Sequence, residues 1–306
     1  MTPSSESSRR IEQARARFAR VAFAQWLGVT VREVAHDRAV LVLPYRSEHL
    51  NAAGVLNGGA SASLLTMAGT LAAWTGVDLD ADPHLSCVDC SVQYLAGAAE
   101  EDVVAEARVL RRGRGLVFLD VALRSQAGKP ICQGLLSYQT SDYAGQTPRL
   151  RAQHALLPAP TPLIPPAGHR LFEGYVRKLD ITPLHQSPGR VRLHMPCTAM
   201  HVDERGQLHA GALASIVDIA AVAASWSLVP RREGARGSTI GMQVSYPSGA
   251  AAAVVADAHV QQRSEELFFS TVHVTTAASG QLVAMGQVSY RLLEPWPEGS
   301  DSPGNA

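Results

Sequence analysis

The chain has 306 residues, 46% hydrophobic and 18% charged, which is the composition of a globular protein rather than a disordered or fibrous one. Its 27 Lys and Arg balance 27 Asp and Glu, so no global field draws it to nucleic acid or to a membrane surface. The four cysteines, Cys87, Cys90, Cys132 and Cys197, do not recur in a disulfide pattern and read as free thiols of a reducing cytoplasm.

The first residues, Met1 to Arg10, are polar and then basic, without the apolar stretch of a signal peptide. Ser7 to Trp26 has the periodicity of a basic amphipathic helix lying over a sheet, and residues 1–22 form an N-terminal helical segment. Val29–Val34 and Ala39–Leu43 read as a strand pair turning at His36-Asp37, ended by Pro44. A loop from His49 to Leu56 then delivers a long apolar helix, Asn57 to Trp74, with Gly58 and Gly59 in its first turn. Residues 50–77 carry no charge and are long enough to raise a membrane span, but Asn51, Asn57, Ser61, Ser63 and Thr66 dilute them, so a buried core helix is expected. Strand-like runs follow at Ser86–Leu95, Val103–Leu110, Leu116–Arg124 and Ile131–Thr140, separated by Gly-containing turns. Cys87 and Cys90 fall in the first of these, where they are expected on opposite faces, and no second Cys pair or His cluster completes a metal site.

Residues 143–169 are rich in proline and read as an extended, semi-rigid linker. Beyond it the order repeats. Arg190–Met195 alternates, residues 209–228 form a second apolar helix, and strands follow at Thr239–Tyr246, Val254–Val260, Leu267–Thr275 and Gln281–Leu292. Residues 295–306 are dominated by Pro, Gly, Ser and Asp and are expected to be a disordered tail.

The repetition is explicit. His49-Leu50-Asn51-x-x-Gly54-x-x-Asn57-x-Gly59-Ala60 lines up with His201-Val202-Asp203-x-x-Gly206-x-x-His209-x-Gly211-Ala212, an offset of 201 − 49 = 152. The same offset pairs Trp74 with Trp226, Tyr94 with Tyr246 and Ser137-Tyr138 with Ser289-Tyr290. This is a tandem duplication of a unit large enough to bury its own core, residues 23–142 and 170–294. Within the second helix one charged side chain stands alone, Asp218. A carboxylate among Ile, Val and Ala is costly unless it is hydrogen-bonded or used.

The pattern His-x-Asn-x-x-Gly-x-x-(His/Asn)-x-Gly-Ala, with an acid nine residues after the His/Asn position, resembles the signature of hotdog-fold acyl-CoA thioesterases of the phenylacetate-pathway type. The hairpin Arg111-Arg112-Gly113-Arg114-Gly115-Leu116-Val117-Phe118 is similar to the one that follows in that family. The resemblance covers roughly residues 20–140 and 170–293 and implies an α+β chain of two tandem hotdog domains. In each, an antiparallel sheet wraps a long central helix, and the two domains form an intramolecular pseudo-dimer. It further implies sites shared between two subunits, here played by the two halves. One site would take Asn51, Asn57 and Gly58 from the first half with Asp218 and Thr239, or Ser238, from the second. The other would take Asp203, His209 and Ala210 with Thr66 and Ser86 or Cys87.

Only the first combination has both the helix carboxylate and the Asn and Gly of the family, because Thr66 stands where the second would need that carboxylate and cannot act as a base. One working site per chain is therefore expected, with the second degenerate. Thioester hydrolysis needs an activated water or a carboxylate nucleophile, and a stabiliser for the oxyanion. Asp218, raised in pKa by burial, would serve as base or nucleophile, and the N–H of Gly58 at a helix start as oxyanion hole. Asn51 would orient water or carbonyl, Asn57 would replace a titratable His with an amide, and Thr239 could hold the water. Arg111, Arg112 and Arg114 offer guanidinium forks for the phosphates of coenzyme A. Each residue also has a plain structural alternative: a helix start at Gly58, a turn at Asn51, a strand position at Thr239, a solvated hairpin at the arginines.

The expected substrate is an acyl-CoA or aryl-CoA thioester, with no cofactor beyond the coenzyme A it carries, no metal, no nucleic acid and no membrane span. Exposed sheet faces and edges would allow a homodimer of pseudo-dimers. The alternative is a non-catalytic acyl-CoA-binding protein, favoured by Asn57 and Thr66. A hydratase would rest on Asp203 and His209.

Overall fold

The computed structural model describes residues 5–81, 84–141, 173–229 and 235–293; the Pro-rich stretch 143–169 and the tail 295–306 lie outside the described residues. The first half runs α1 (Ser5–Phe18), α2 (Ala22–Leu27), β1 (Thr30–Ala35), β2 (Arg38–Leu43), α3 (Gly58–Trp74), β3 (His84–Tyr94), β4 (Val103–Arg112), β5 (Leu116–Ser125) and β6 (Pro130–Ser141). The second half runs α4 (Tyr175–Lys178), β7 (Thr182–Ser187), β8 (Arg190–Met195), α5 (Ala210–Trp226), β9 (Arg236–Ser245), β10 (Val254–Ser264), β11 (Leu267–Thr276) and β12 (Leu282–Leu293). All strands join one twelve-stranded antiparallel sheet in the order β1-β2-β4-β5-β6-β3-β9-β12-β11-β10-β8-β7. Six strands come from each half, and β3 pairs with β9 at the junction. Each half-sheet wraps its own apolar helix, α3 or α5, and almost every residue of both helices is buried. The fold is α+β, two tandem units of a sheet curled round a helix.

Both long helices start from the same local device. Asn57 caps α3, its Oδ1 accepting from the Gly59 N–H at 2.8 Å, and His209 caps α5, its Nδ1 accepting from the Gly211 N–H at 3.0 Å. The glycines let the helices meet. A Cβ on Gly59 would lie 2.7 Å from the Ser215 Cα, and one on Gly211 would lie 2.7 Å from the Ser63 Cα. The crossing of α3 and α5 is therefore a backbone-to-backbone contact that only glycine permits.

Four expectations need correction. The amphipathic run Ser7–Trp26 is two helices, α1 and α2, broken at Ala19–Val21. The break turns α2 so that its Phe23 packs on His209, ring centroids 5.3 Å apart, and the Phe23 N–H reaches the Val202 carbonyl. Strand β7 was unread because Pro183 interrupts it; proline is tolerated because β7 is the outermost strand. Cys87 and Cys90 are both buried on the core side, because β3 bulges between Cys87 and Asp89 and the extra residue reverses the alternation. Finally, the 152-residue offset is not continuous. The bulges at Val109/Arg111 and Val260/Gln262 correspond at 260 − 109 = 151, whereas the positive-φ turn glycines Gly128 and Gly280 correspond at 280 − 128 = 152. Two compensating one-residue shifts, in the loops before β4 and after β5, hide from a comparison made only at the ends.

Candidate active site

At the helix crossing the two halves bring their unlike residues together. Asp218 lies two turns into α5 and is buried, and its Oδ1 accepts a hydrogen bond from the Thr239 Oγ1 of β9 at 2.6 Å. Its other oxygen lies against the start of α3, where a Cβ on Gly58 would sit 2.7 Å from Asp218 Oδ2. Burial pushes the Asp218 carboxyl up to about 6, opposed by the Thr239 hydroxyl and the Gly59 N–H. The Gly58 N–H is among the donors that a helix start leaves without an intrahelical partner, at the positive end of a seventeen-residue helix. A buried carboxylate that titrates near neutrality thus faces a fixed donor across the junction between the halves.

These groups line one cavity of about 990 Å³, which holds Asn51, Asn57, Gly58, Asp218, Ser238 and Thr239. The sheet itself explains the opening. Strands β3 and β9 pair from Asp89–Ser245 to Gln93–Gly241 and then part, so the stretch Arg236–Ile240 of β9 is bonded only to β12. Thr239 and Ser238 alternate across β9. Thr239 reaches Asp218, while Ser238 shares the opposite face with Arg236. Asn51 stands in the loop above, its Oδ1 accepting from the N–H groups of Ala53 and Val55 at 2.9 and 3.3 Å.

Two features of the cavity escaped the sequence reading. The Tyr94 hydroxyl donates to the Gly58 carbonyl at 3.0 Å, pinning the first residue of α3 from below. Trp226 donates its indole N–H to the Tyr290 hydroxyl at 2.9 Å, and both rings join the cavity wall with Ile219 and Val222 of α5. Their signal was present as aromatic residues retained by the repeat, without a hint of role.

The arginine cluster is not brought to this cavity. Arg112 donates to Asp37 at 2.6 Å and to the carbonyls of Ala72 and Ala73 at 3.2 and 3.0 Å, so it caps the far end of α3. That is roughly 20 Å of helix from Gly58 at 1.5 Å per residue. Arg111 and Arg114 are exposed on the same hairpin. None of the three lines this cavity, and Arg112 has a structural role.

The second composite position is assembled from its predicted parts but differs in chemistry. A Cβ on Gly211 would lie 2.9 Å from Thr66 Oγ1, so Thr66 occupies the place that faces α5. Thr66 spends its hydroxyl on the Ser63 carbonyl at 2.9 Å. Cys87 stands where the other site has Thr239 (239 − 87 = 152) and donates to the Asp89 carbonyl. Asp203 repeats the Asn51 turn, accepting from Arg205 and Gln207, and burial raises its pKa. His209 is held neutral, its pKa pushed down to about 4 by burial, with Nδ1 occupied by the helix cap. Arg17 of α1 pairs with Glu204 at 3.0 Å, so the N-terminal helices are fastened across this position.

Comparison with known proteins finds thioesterase relatives and hotdog-fold neighbours. A family model described as Thioesterase superfamily matches residues 53–132. Acyl-coenzyme A thioesterase 13 of Homo sapiens is 33% identical over 125 residues, 40% of this chain and 86% of that protein. The mouse protein of the same name is 28% identical over 122 residues, 39% of this chain and 85% of that protein. Among solved structures, the acyl-CoA thioesterase II TesB2 of Mycobacterium marinum has a TM-score of 0.61 at 17% identity, covering 92% of this chain and 100% of that chain. A hot dog fold protein of Alicyclobacillus acidocaldarius has a TM-score of 0.64 at 15% identity, with 90% and 99% covered. At such identities the two structures speak for the fold, and over the whole length of a tandem chain. Among the described residues, no helix is long and apolar enough to cross a membrane.

Proposed function

The chain belongs to the thioesterase superfamily of hotdog fold, a family of thioester hydrolases, and we propose that it hydrolyses an acyl-CoA thioester at one composite site between its halves. The His/Asn-x-Gly-Ala motif, with its acid nine residues on, further suggests an enzyme of the phenylacetate-pathway type. The observation that carries the reading is the Asp218 carboxylate, bonded to Thr239 at 2.6 Å and set against the start of α3.

The steps follow from that arrangement. Substrate reaches the cavity through the gap between β3 and β9, and its carbonyl oxygen takes the Gly58 N–H. Ionised Asp218, basic because it is desolvated, removes a proton from a water that attacks the carbonyl carbon, or attacks the carbon itself. The Thr239 hydroxyl keeps one carboxylate oxygen oriented. Charge developing on the carbonyl oxygen is stabilised by the helix start, a fixed dipole. In the water route, collapse of the intermediate expels the coenzyme A thiolate, which takes the proton from Asp218. In the direct route the thiolate leaves a mixed anhydride, which water hydrolyses to the free acid, restoring the Asp218 carboxylate and giving a water proton to the thiolate.

Release of free thiol from a panel of acyl- and aryl-CoA esters tests this. Asp218→Asn should lower kcat by about 10²–10⁴-fold, the usual contribution of a positioned base. Thr66→Asn should retain activity. Equal loss in both variants, or full activity in Asp218→Asn, would overturn the single-site reading.

A further inference from the structure

The structure assigns the phosphate end of the substrate to Arg236 and Arg291, at the rim where β9 and β12 border the cavity. The assignment rests on the acyl-CoA reading, since it names the residues that would hold the coenzyme A part. Among the described residues lining the cavity, these two are the basic ones. Leu293 pairs with Arg236 and Arg291 pairs with Ser238, in unbroken register. Arg236, Ser238, Arg291 and Leu293 therefore share one sheet face, and the two arginines are diagonal neighbours, about 7–8 Å apart.

Two guanidinium groups at that spacing repel unless an anion lies between or beside them. Arg291 has one such anion, the Glu266 carboxylate, at 2.8 Å. Arg236 has no carboxylate partner among the described residues and is exposed. Among the described residues, one positive charge without a carboxylate partner thus lines a cavity whose carboxylates are Asp218 deep inside and Glu173. Guanidinium forks suit phosphate oxygens bidentately, and the Ser238 hydroxyl between them adds a neutral donor. The same face continues away from Thr239, which turns inward to Asp218. A thioester carbon at Asp218 and a phosphate at Arg236 are consequently reached through one gap in the sheet. Of the hairpin arginines, Arg112 is committed at the opposite end of α3, and none of the three lines this cavity.

Two measurements test the assignment independently of each other. The first is calorimetric titration of free coenzyme A into the parent and into Arg236→Ala/Arg291→Ala. The double variant should bind at least tenfold more weakly, and parent binding should weaken steeply with added salt, as a phosphate contact requires. The second compares octanoyl-CoA with the octanoyl thioester of N-acetylcysteamine, which carries the same reacting bond and no phosphate. In the double variant, the preference for the coenzyme A ester in kcat/KM should fall at least tenfold, through KM rather than kcat. Unchanged affinity for coenzyme A, or an equal loss on both esters, would overturn the assignment. If the parent hydrolyses neither ester, the thioesterase reading fails, and the titration alone still decides whether the arginines hold coenzyme A.

Discussion

Ser63 and Ser215 face each other where the two halves meet, their hydroxyl oxygens 3.1 Å apart. Each hydroxyl also reaches the carbonyls of Gly59 and Gly211, and the Tyr175 hydroxyl closes the cluster at 3.2 and 3.0 Å. Because each serine lies one turn from a glycine contact, this polar knot fixes how deeply α3 and α5 interpenetrate. Asp218 stands three residues beyond Ser215, so its position relative to Gly58 is set here.

Gly59→Ala should therefore damage the site from a distance. Its Cβ would meet the Ser215 backbone at 2.7 Å, where no flexible side chain can yield. Overpacking of this kind costs about 1–3 kcal/mol. We expect a lower denaturant midpoint and a fall in kcat. Parent-like values of both would show that the crossing can relax without cost.

Gly58→Ala separates packing from chemistry. The added methyl would fall 2.7 Å from Asp218 Oδ2 and displace the carboxylate, a side-chain group that can move. The second half already carries Ala210 at the matching place, opposite Thr66 instead of a carboxylate. The variant should fold with near-parent stability and lose about 10-fold or more in kcat, measured by thiol release. Normal turnover would remove Gly58 from the mechanism.

The raised pKa of Asp218 has two opposite consequences. For catalysis, the ionised form is the active one, so kcat/KM should climb with pH through about 6 and level above it. For stability the sign reverses. A carboxyl moved from 3.8 to about 6 favours the folded state when protonated, and that contribution disappears as pH rises through 6. At pH 8 the ionised, buried group costs roughly 3 kcal/mol, at 1.36 kcal/mol per pKa unit. Asp218→Asn keeps an acceptor for Thr239 and removes the charge. It should melt above the parent at pH 8, with the gap closing toward pH 4. Equal melting at pH 8 would mean the charge is better solvated than its burial implies.

Arg112→Ala should act on the scaffold alone. It loses the Asp37 ion pair and uncaps two α3 carbonyls, which costs about 1–3 kcal/mol. KM for coenzyme A esters should not change. A raised KM would restore the hairpin as a phosphate site.

The two long helices, eleven strands and the duplication were legible because burial leaves strong periodic marks, and Asp218 because a lone carboxylate in an apolar helix has no cheap explanation. The Asn51 turn, Gly58 and Thr239 were named through resemblance, and the coordinates gather them round one cavity. What stayed hidden is local geometry without a compositional mark. No Gly or Pro announces the break between α1 and α2, after which Phe23 packs on His209. The bulge that turns Cys87 and Cys90 to one side involves Val88, an ordinary strand residue. The role of Arg112 could not be read either, since its partners are backbone carbonyls that only the fold brings near. Arg236 and Arg291 lie 55 residues apart (291 − 236), and only strand pairing makes them neighbours.

Asp218 and Gly58 belong to different repeats of one polypeptide, and that covalent link changes how the site responds to dilution. When separate subunits contribute the two groups, lowering protein concentration dissociates them and specific activity falls. Here the second half is always present at the effective concentration set by the chain, independent of the number of molecules in solution. Turnover per molecule should stay constant down to nanomolar enzyme, and a single molecule isolated in a droplet would still carry a complete site.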